Sequence, residues 1–365
     1  MRRILSAVVL VVLIVRSGQA AEPCTVPPLR ITTHSLDPNC PPTSPLSPFA
    51  PPSMPLPPST TTQPGPSPIP PTSAPTASDA ASSFSPLTSA ALGDTSVAMT
   101  APGYLDPAAP MSVFRLRYDS EYHIDRPDRA EFFYAKTGLI GGRGVPDIES
   151  VIAAQQLMAY LEVAPTDNFS FFAEVPYRIL NPDQNDNASG ISDVSFGAKA
   201  ALINDPNRIL TLQLKGYGPS GDASQGLGNG HWTIEPSLLA WKKLGERTQV
   251  YAQLGDWIPL TDSDFAGNVL DYGVGISYAL VDRCCYRISP IVELVGWSVF
   301  SGKEFTGLDT PIPLTVDASG TTILNAKLGV RLETDRQSVY VGYGRALTGE
   351  FWYRDIVRVE YRVRF

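Results

Sequence analysis

The sequence predicts an all-β chain: a transmembrane antiparallel β-barrel of about twelve strands, with fourteen as the open alternative, behind a disordered Pro-rich N-terminal segment. Three observations predict it. The last nine residues, Val357 to Phe365, alternate apolar and charged at every step, and only a strand has a side-chain period of two. Runs with the same alternation recur from Met111 onward. The connections between those runs alternate as well, short on one side and long on the other, as in barrels that cross a membrane.

In chain order, Met1-Arg2-Arg3 is a basic start, Ile4 to Val15 is apolar, and Gly18-Gln19-Ala20 offers small residues for cleavage. Residues 1–20 therefore read as a secretory signal peptide. Residues 21–110 are expected to form a disordered Pro/Ser/Thr-rich periplasmic segment. From Pro41 to Ser78 nearly every residue is Pro, Ser, Thr, Ala or Gly, a composition that cannot bury a core. It reads as a spacer extending ~3.1 Å per residue where polyproline II forms, with a docking site for a proline-reading domain as the other reading. Residues 79–110 are low in charge and irregular, the end of the linker.

Residues 111–365 are assigned to the barrel. Val194, Phe196, Ala198, Ala200 and Leu202 share a face opposite Ser195, Gly197 and Lys199. Leu210, Leu212 and Leu214 oppose Thr211, Gln213 and Lys215; Leu270, Tyr272, Val274, Ile276 and Tyr278 oppose Asp271, Gly273, Gly275 and Ser277. Leu324, Ala326, Leu328, Val330 and Leu332 oppose Asn325, Lys327, Gly329, Arg331 and Glu333. Short turns fall at 165–168, 204–207, 243–246, 281–283 and 334–336, and longer loops near 138–152, 179–190, 217–230, 259–267 and 301–320. Counting back from Phe365 gives about twelve strands from Arg129 onward, an even number that returns both termini to the periplasm. The segment Val113 to Asp119 also alternates and stands as an odd thirteenth, packed at the mouth or in the lumen unless a fourteenth exists.

Composition narrows the function classes. A net charge of −8 and a pI near 5.0 exclude nucleic acid as a partner, since phosphate binding needs concentrated Lys and Arg. After the leader no stretch supplies the roughly twenty consecutive apolar residues of a spanning helix, so a membrane is crossed with strands. The inward face of those strands carries Glu174, Lys199, Lys215, Glu235, Asp271, Glu293, Lys327, Arg331, Glu333, Arg358, Glu360, Arg362 and Arg364. These are the lumen-lining candidates, either an electrostatic filter for solutes or ion pairs lining a wet interior. Trp232, Trp257 and Trp297 at outer strand ends and Trp241 at an inner end are expected as interfacial aromatics. Pro176, Pro236 and Pro290 lie inside strands and delete ladder hydrogen bonds; Glu235-Pro236 and Ser289-Pro290 mark bulges or a lateral path for an apolar ligand, while Pro176 near an outer strand end needs no special account.

Other motifs carry less. Cys24, Cys40, Cys284 and Cys285 allow three pairings; Cys24 with Cys40 is the simplest, and a bond between neighbouring Cys284 and Cys285 would be strained, leaving two thiols or a bond to another partner. Gly226-Leu227-Gly228-Asn229-Gly230 lacks the helix a phosphate loop needs. Asp183-Gln184-Asn185-Asp186-Asn187 imitates a calcium loop, but Ala188 and Val194 stand where Gly and Glu are required, so an acidic outer loop is the reading, with loosely held divalent cations as the alternative. His34, His123 and His231 are the three histidines; His231 near Asp222 or Ser224 would be the seat of a lipid-modifying enzyme, or simply a belt residue beside Trp232. No cofactor is expected.

Two resemblances add to this. The alternation closing on Phe365 resembles the C-terminal signal of bacterial outer-membrane barrels, which implies outer-membrane lipids and the barrel-insertion machinery as partners and the outer membrane as location. Glu174-Val175-Pro176-Tyr177, Gly190-Ile191-Ser192-Asp193 running into Val194-Ser195-Phe196-Gly197-Ala198-Lys199, and Pro219-Ser220-Gly221-Asp222 followed by Gly226-Leu227-Gly228 resemble the barrels named after the meta-cleavage pathway of phenol degradation. The family has Gly where Ser192 stands and Thr where Ser220 stands. The resemblance implies a channel or transporter for small, apolar or aromatic solutes. The rivals are a membrane anchor whose Pro-rich arm contacts periplasmic or cell-wall partners, and an outer-membrane lipid-modifying enzyme.

Overall fold

A computed structural model describes residues 101–125, 127, 134–261, 265–306 and 314–365. The leader, the Pro-rich run, Cys24, Cys40 and His34 lie outside the described residues. The alternating runs become long strands: β1 (Val113–Ile124), β2 (Ile152–Thr166), β3 (Phe169–Pro182), β5 (Val194–Asp205), β6 (Arg208–Gly218), β7 (Thr233–Lys243), β8 (Thr248–Pro259), β9 (Val269–Tyr278), β11 (Arg287–Val299), β14 (Thr322–Glu333), β15 (Gln337–Ala346) and β16 (Asp355–Arg364). Short strands β4 (Ala188–Ile191) and β10 (Val281–Asp282) pair with β3 and β11, and β12 (Lys303–Thr306) with β13 (Leu314–Asp317) forms a separate hairpin.

The twelve long strands run antiparallel around the wall, each paired to its neighbour in the chain among these twelve, and β16 returns to β1 in register from Val113↔Arg364 to Tyr122↔Asp355. Closure removes both sheet edges, so every strand finds a partner on each side, the condition for a sheet in lipid. The alternating terminal run is the last wall strand. Arg364 N donates to Arg336 O (2.8 Å) and Phe365 N to Ser112 O (3.2 Å), pinning it beside the start of β1.

Among the twelve wall strands, membership differs from the sequence reading at the first. Val113 to Asp119 is no extra strand: it belongs to β1, the first of the twelve, and among the described residues 134–151 hold no strand. The reason is local. Phe114, Leu116 and Tyr118 alternate with Arg115, Arg117 and Asp119, a two-faced pattern that matches β16, whereas Gly141, Gly142, Gly144 and Pro146 interrupt any ladder in the later stretch.

Connections of two to eight residues join β2–β3, β5–β6, β7–β8, β9–β11 and β14–β15, and those at the other end, 125–151, 183–193, 219–232, 260–268, 300–321 and 347–354, run from eight residues upward. Leu212, Val274 and Leu328 are exposed on the outside, 49%, 55% and 57%, while the opposite face of the same strands is buried and charged. Such an apolar exterior around a polar interior is inside-out for water and right for lipid.

Pro236 and Pro290 are tolerated without bulges, whereas at Pro176 the register shifts by one residue, from Glu174↔Ser195 to Tyr177↔Ile191. Pro236 and Glu235 are skipped on the β8 side between Ile234↔Ile258 and Ser237↔Gly255 with no change of register, so the missing N–H leaves a gap in the ladder. Pro290 pairs in register with Val330. Pro176 lies where β3 leaves β5, after Glu174↔Ser195, and its carbonyl accepts from Ser192 N (2.9 Å).

Candidate functional site

The interior is a polar lattice. Parity along each strand turns Glu174, Lys199, Lys215, Glu235, Asp271, Glu293, Lys327, Arg331, Glu333, Arg358, Glu360 and Arg362 inward, and all are buried. Charges at such burial need partners, and the structure supplies them for most of this set. Glu174 accepts from Arg115 (2.6 Å) and Ser195 Oγ (2.8 Å). Glu360 accepts from Arg331 (2.9 Å) and Arg362 (2.5 Å), with Arg115 3.9 Å away. Lys199 pairs with Glu162 (3.0 Å), which also accepts from Ser170 Oγ (2.6 Å) and the Tyr160 hydroxyl. Arg358 grips Asp119 through both carboxylate oxygens (2.7 and 2.9 Å), a bidentate pairing. Asp271 accepts from Gln253 Nε2, and Glu235 from Ser237 Oγ (2.9 Å) and the Tyr217 hydroxyl.

Glu293, Lys215, Arg331 and Arg358 bind the chain itself. Residues 101–111, of which 101–110 were expected within the linker, pass through the lumen as an arch. Arg331 donates to Ala101 O (3.0 Å) and Pro102 O (2.7 Å), and Arg358 to Gly103 O (3.1 Å). Glu293 accepts from the backbone N–H groups of Gly103 (3.0 Å), Tyr104 (2.8 Å) and Leu105 (3.4 Å). Asp106 N donates to Gln253 Oε1 (2.9 Å), and the Asp106 carboxylate accepts from Gln213 and Lys215 (3.1 Å each). Thr211 Oγ1 then donates to Ala108 O (2.5 Å), and Met111 N to Glu162 (3.2 Å). The arch thus crosses from β14 and β16, past β11 and β8, to β6 and β2.

Side chains seat it. The Tyr104 ring meets Tyr340 edge-on at 6.1 Å and lies under the cations of Arg358 (4.1 Å) and Lys327 (4.2 Å), distances at which cation–π attraction operates. Leu105 fills the space left by Gly273, where a Cβ would stand 2.4 Å from Leu105 Cδ2, and Gly103 lies against Tyr340, where a Cβ would stand 2.3 Å from the ring. A cavity between arch and wall, lined by Glu333, Arg362 and Arg364 among others, has a volume of about 20 Å³, room for a single water.

Toward the long-loop end the lumen is aromatic. Trp352 stacks on Trp257 (5.6 Å, 10°) and packs on Trp297 (5.0 Å), and Lys327 Nζ donates to the Tyr353 hydroxyl (2.9 Å). This corrects the belt assignment. Trp232 is exposed on the outside at its strand end, but Trp241 and Trp297 are buried inside, with Trp241 Nε1 donating to Gln249 (3.0 Å), and Trp257 also turns inward. Parity decides it: Trp241 shares a face with Glu235, Trp297 with Glu293, and Trp257 with Gln253.

Loop chemistry also differs from the motif readings. The calcium-like stretch is an anion nest: Asp183 N, Gln184 N and Asn185 N donate to the buried Glu149 (2.6–3.1 Å), aiming N–H groups where a cation would need oxygens. The glycine-rich stretch is tied by Gly221 N and Asn229 N to the carboxylate of Asp193 (2.9 and 2.7 Å), whose pKa is raised by burial. Ser224 Oγ donates to Asp222 (2.6 Å), a bond that holds the Asp222 carboxyl below its usual range, and His231 Nδ1 lies 3.0 Å from Asn229 O. A serine relay needs that hydroxyl on the imidazole instead. Cys284 is disulfide-bonded, with its pairing outside the described residues, and Cys285 is exposed.

Arg115, Asp119, Glu162, Gln213 and Gln253 were missed as lumen residues, although their strand parity announces each. The arch residues were missed for want of any local signal, because the partners that hold them are side chains of distant strands.

Among solved structures the chain is similar to an outer membrane channel from Pseudomonas putida F1 at 15% identity (73% of this chain and 100% of that one, TM-score 0.47). It is similar to the KdgM porin at 11% (69% and 99%, 0.37) and to the translocator domain of the autotransporter NalP from Neisseria meningitidis at 12% (72% and 90%, 0.41). No curated protein matches. The sequence pattern of one family does: over residues 147–283, which include the motifs from Glu174 to Gly228, this chain resembles the family described as "Putative MetA-pathway of phenol degradation".

Proposed function

We propose that this protein is an outer-membrane channel for small solutes whose lumen is closed, in this conformation, by the arch of residues 101–111. One observation supports the reading above the rest: a closed wall, apolar outside and polar inside, is crossed by a single chain segment held to it through hydrogen bonds and ion pairs. A twelve-stranded wall is wider than the eight-stranded kind that side chains fill, so withdrawal of the arch would leave an aqueous path. The inward charges would act on solutes as an electrostatic filter. The family resemblance favours small apolar or aromatic solutes. The final strand would be read by the barrel-insertion machinery, and the short turns and N-terminal segment would face the periplasm.

The test is conductance of the signal-cleaved protein in a planar lipid bilayer, using material whose gel mobility shifts on heating, as folded barrels do. Discrete conductance steps are expected, with ion preference moving toward cations in Arg331→Glu. Silence from folded wild type and from a folded variant with a displaced arch would overturn the channel.

A further inference from the structure

The arch is held as a ligand is held. The wall reads its main chain, with arginines on carbonyl oxygens and a carboxylate on three successive amides, and then two side-chain features, an aromatic ring and an acid two residues on. Ala101, Pro102 and Gly103 contribute carbonyls with minimal side chains, and the tight fit of Gly103 on Tyr340 excludes anything larger there. None of these contacts requires a covalent link between arch and barrel.

The charges around the lumen match that reading. Glu293 on β11 faces the N–H groups of the arch, whereas Arg331 on β14 and Arg358 on β16 face its carbonyls. An occupant with acceptors on one side and N–H donors on the other lies between them without leaving either wall unpaired, and an unpaired buried charge is what the interior tolerates least. The arch has this polarity because it bends at residues 103–105, turning the N–H groups of Gly103, Tyr104 and Leu105 together onto Glu293 while the carbonyls of Ala101, Pro102 and Gly103 face the arginines.

We infer that the lumen is a binding site for short bent peptides bearing small residues, an aromatic residue and, two positions further, an acid, and that the arch is its tethered occupant. The inference rests on the arch as the removable part of the channel proposed above. Tethering gives the arch an effective concentration in the millimolar range, so a free peptide enters only when the arch is gone.

The test uses the full chain with residues 101–110 replaced by a Gly-Ser run of equal length, folding being checked by heat-modifiable mobility. Its probe is the labelled hexapeptide of residues 101–106, Ala-Pro-Gly-Tyr-Leu-Asp, acetylated and amidated, with binding read by fluorescence anisotropy in detergent. The arch-replaced protein should bind the peptide, and wild type at least about tenfold more weakly. Glu293→Gln and Arg358→Met in the arch-replaced background should each weaken binding by about tenfold or more, the scale of one charge-assisted hydrogen bond. A peptide with the Tyr and Asp exchanged should bind more weakly. No binding to the folded arch-replaced barrel, or binding indifferent to Glu293→Gln and to the exchange, would overturn the inference. Conductance in the arch-replaced protein separates the two readings: conductance without peptide binding sinks only the peptide site, and peptide binding without conductance sinks only the channel.

Discussion

At the scale of single residues, the interior is governed by the cost of burying charge. Glu174 is the clearest case, because it accepts from Arg115 at 2.6 Å and Ser195 at 2.8 Å while Arg115 also lies 4.1 Å over the Tyr160 ring. Glu174→Leu would strand a buried guanidinium, a loss of about 3–5 kcal/mol in the general case. Glu360, 3.9 Å from Arg115, offers a substitute carboxylate, so the low end of that range is expected. Urea unfolding in lipid vesicles measures it, and a double variant Arg115→Leu/Glu174→Leu should recover part of the loss. Such pairs were half legible. Parity in β3 turns Glu174 inward from sequence alone, but its partner sits two strands away on β1, and the relative register of strands that are not neighbours is not written in any local pattern. The tryptophans show the opposite error: Trp241 was assigned by residue type to an interface, although its own parity with Glu235 already turned it inward.

At the scale of elements, strands and arch differ in how they are encoded. A wall strand carries its instructions in its own sequence, since a period of two fixes both faces, and the run from Leu324 to Glu333 could be read as β14 without any structure. The arch carries almost none. Ala-Pro-Gly-Tyr-Leu-Asp-Pro-Ala-Ala-Pro has no period and three prolines, the composition of a linker, and its order comes from Glu293, Arg331, Arg358, Gln253 and Lys215. One wall residue bears its imprint, because Gly273 leaves the space that Leu105 occupies. Gly273→Val should push Leu105 out, loosen the arch and raise single-channel conductance or open probability above wild type. Pairing this change with Leu105→Ala, which makes room for the new methyl groups, should restore closure. If the single variant folds and conducts as wild type does, Leu105 does not seat the arch.

At the scale of the whole molecule, the question is whether the outward band lies in hydrocarbon on every side, and depth-dependent cost answers it. Leu212 on β6, Val274 on β9 and Leu328 on β14 lie mid-strand and outward, at widely separated points around the wall. Substituting each by Arg, one at a time, should destabilise the folded barrel in lipid vesicles by about 2–4 kcal/mol, and outward positions near strand ends such as Leu332 by about 0–1 kcal/mol. The expected signature is one cost at one depth on all three strands, because a bilayer penalises height and not azimuth. A patch docked on a protein would instead give a high cost on one strand and little on the others, and a barrel in water would gain from all three changes. The even strand count and the sorting of short turns to one end follow from the same constraint. Each strand must cross the full thickness before the chain turns, so the turn at one end stays tight while the other end is free to grow the loops that carry Glu149, Asp193 and Trp352.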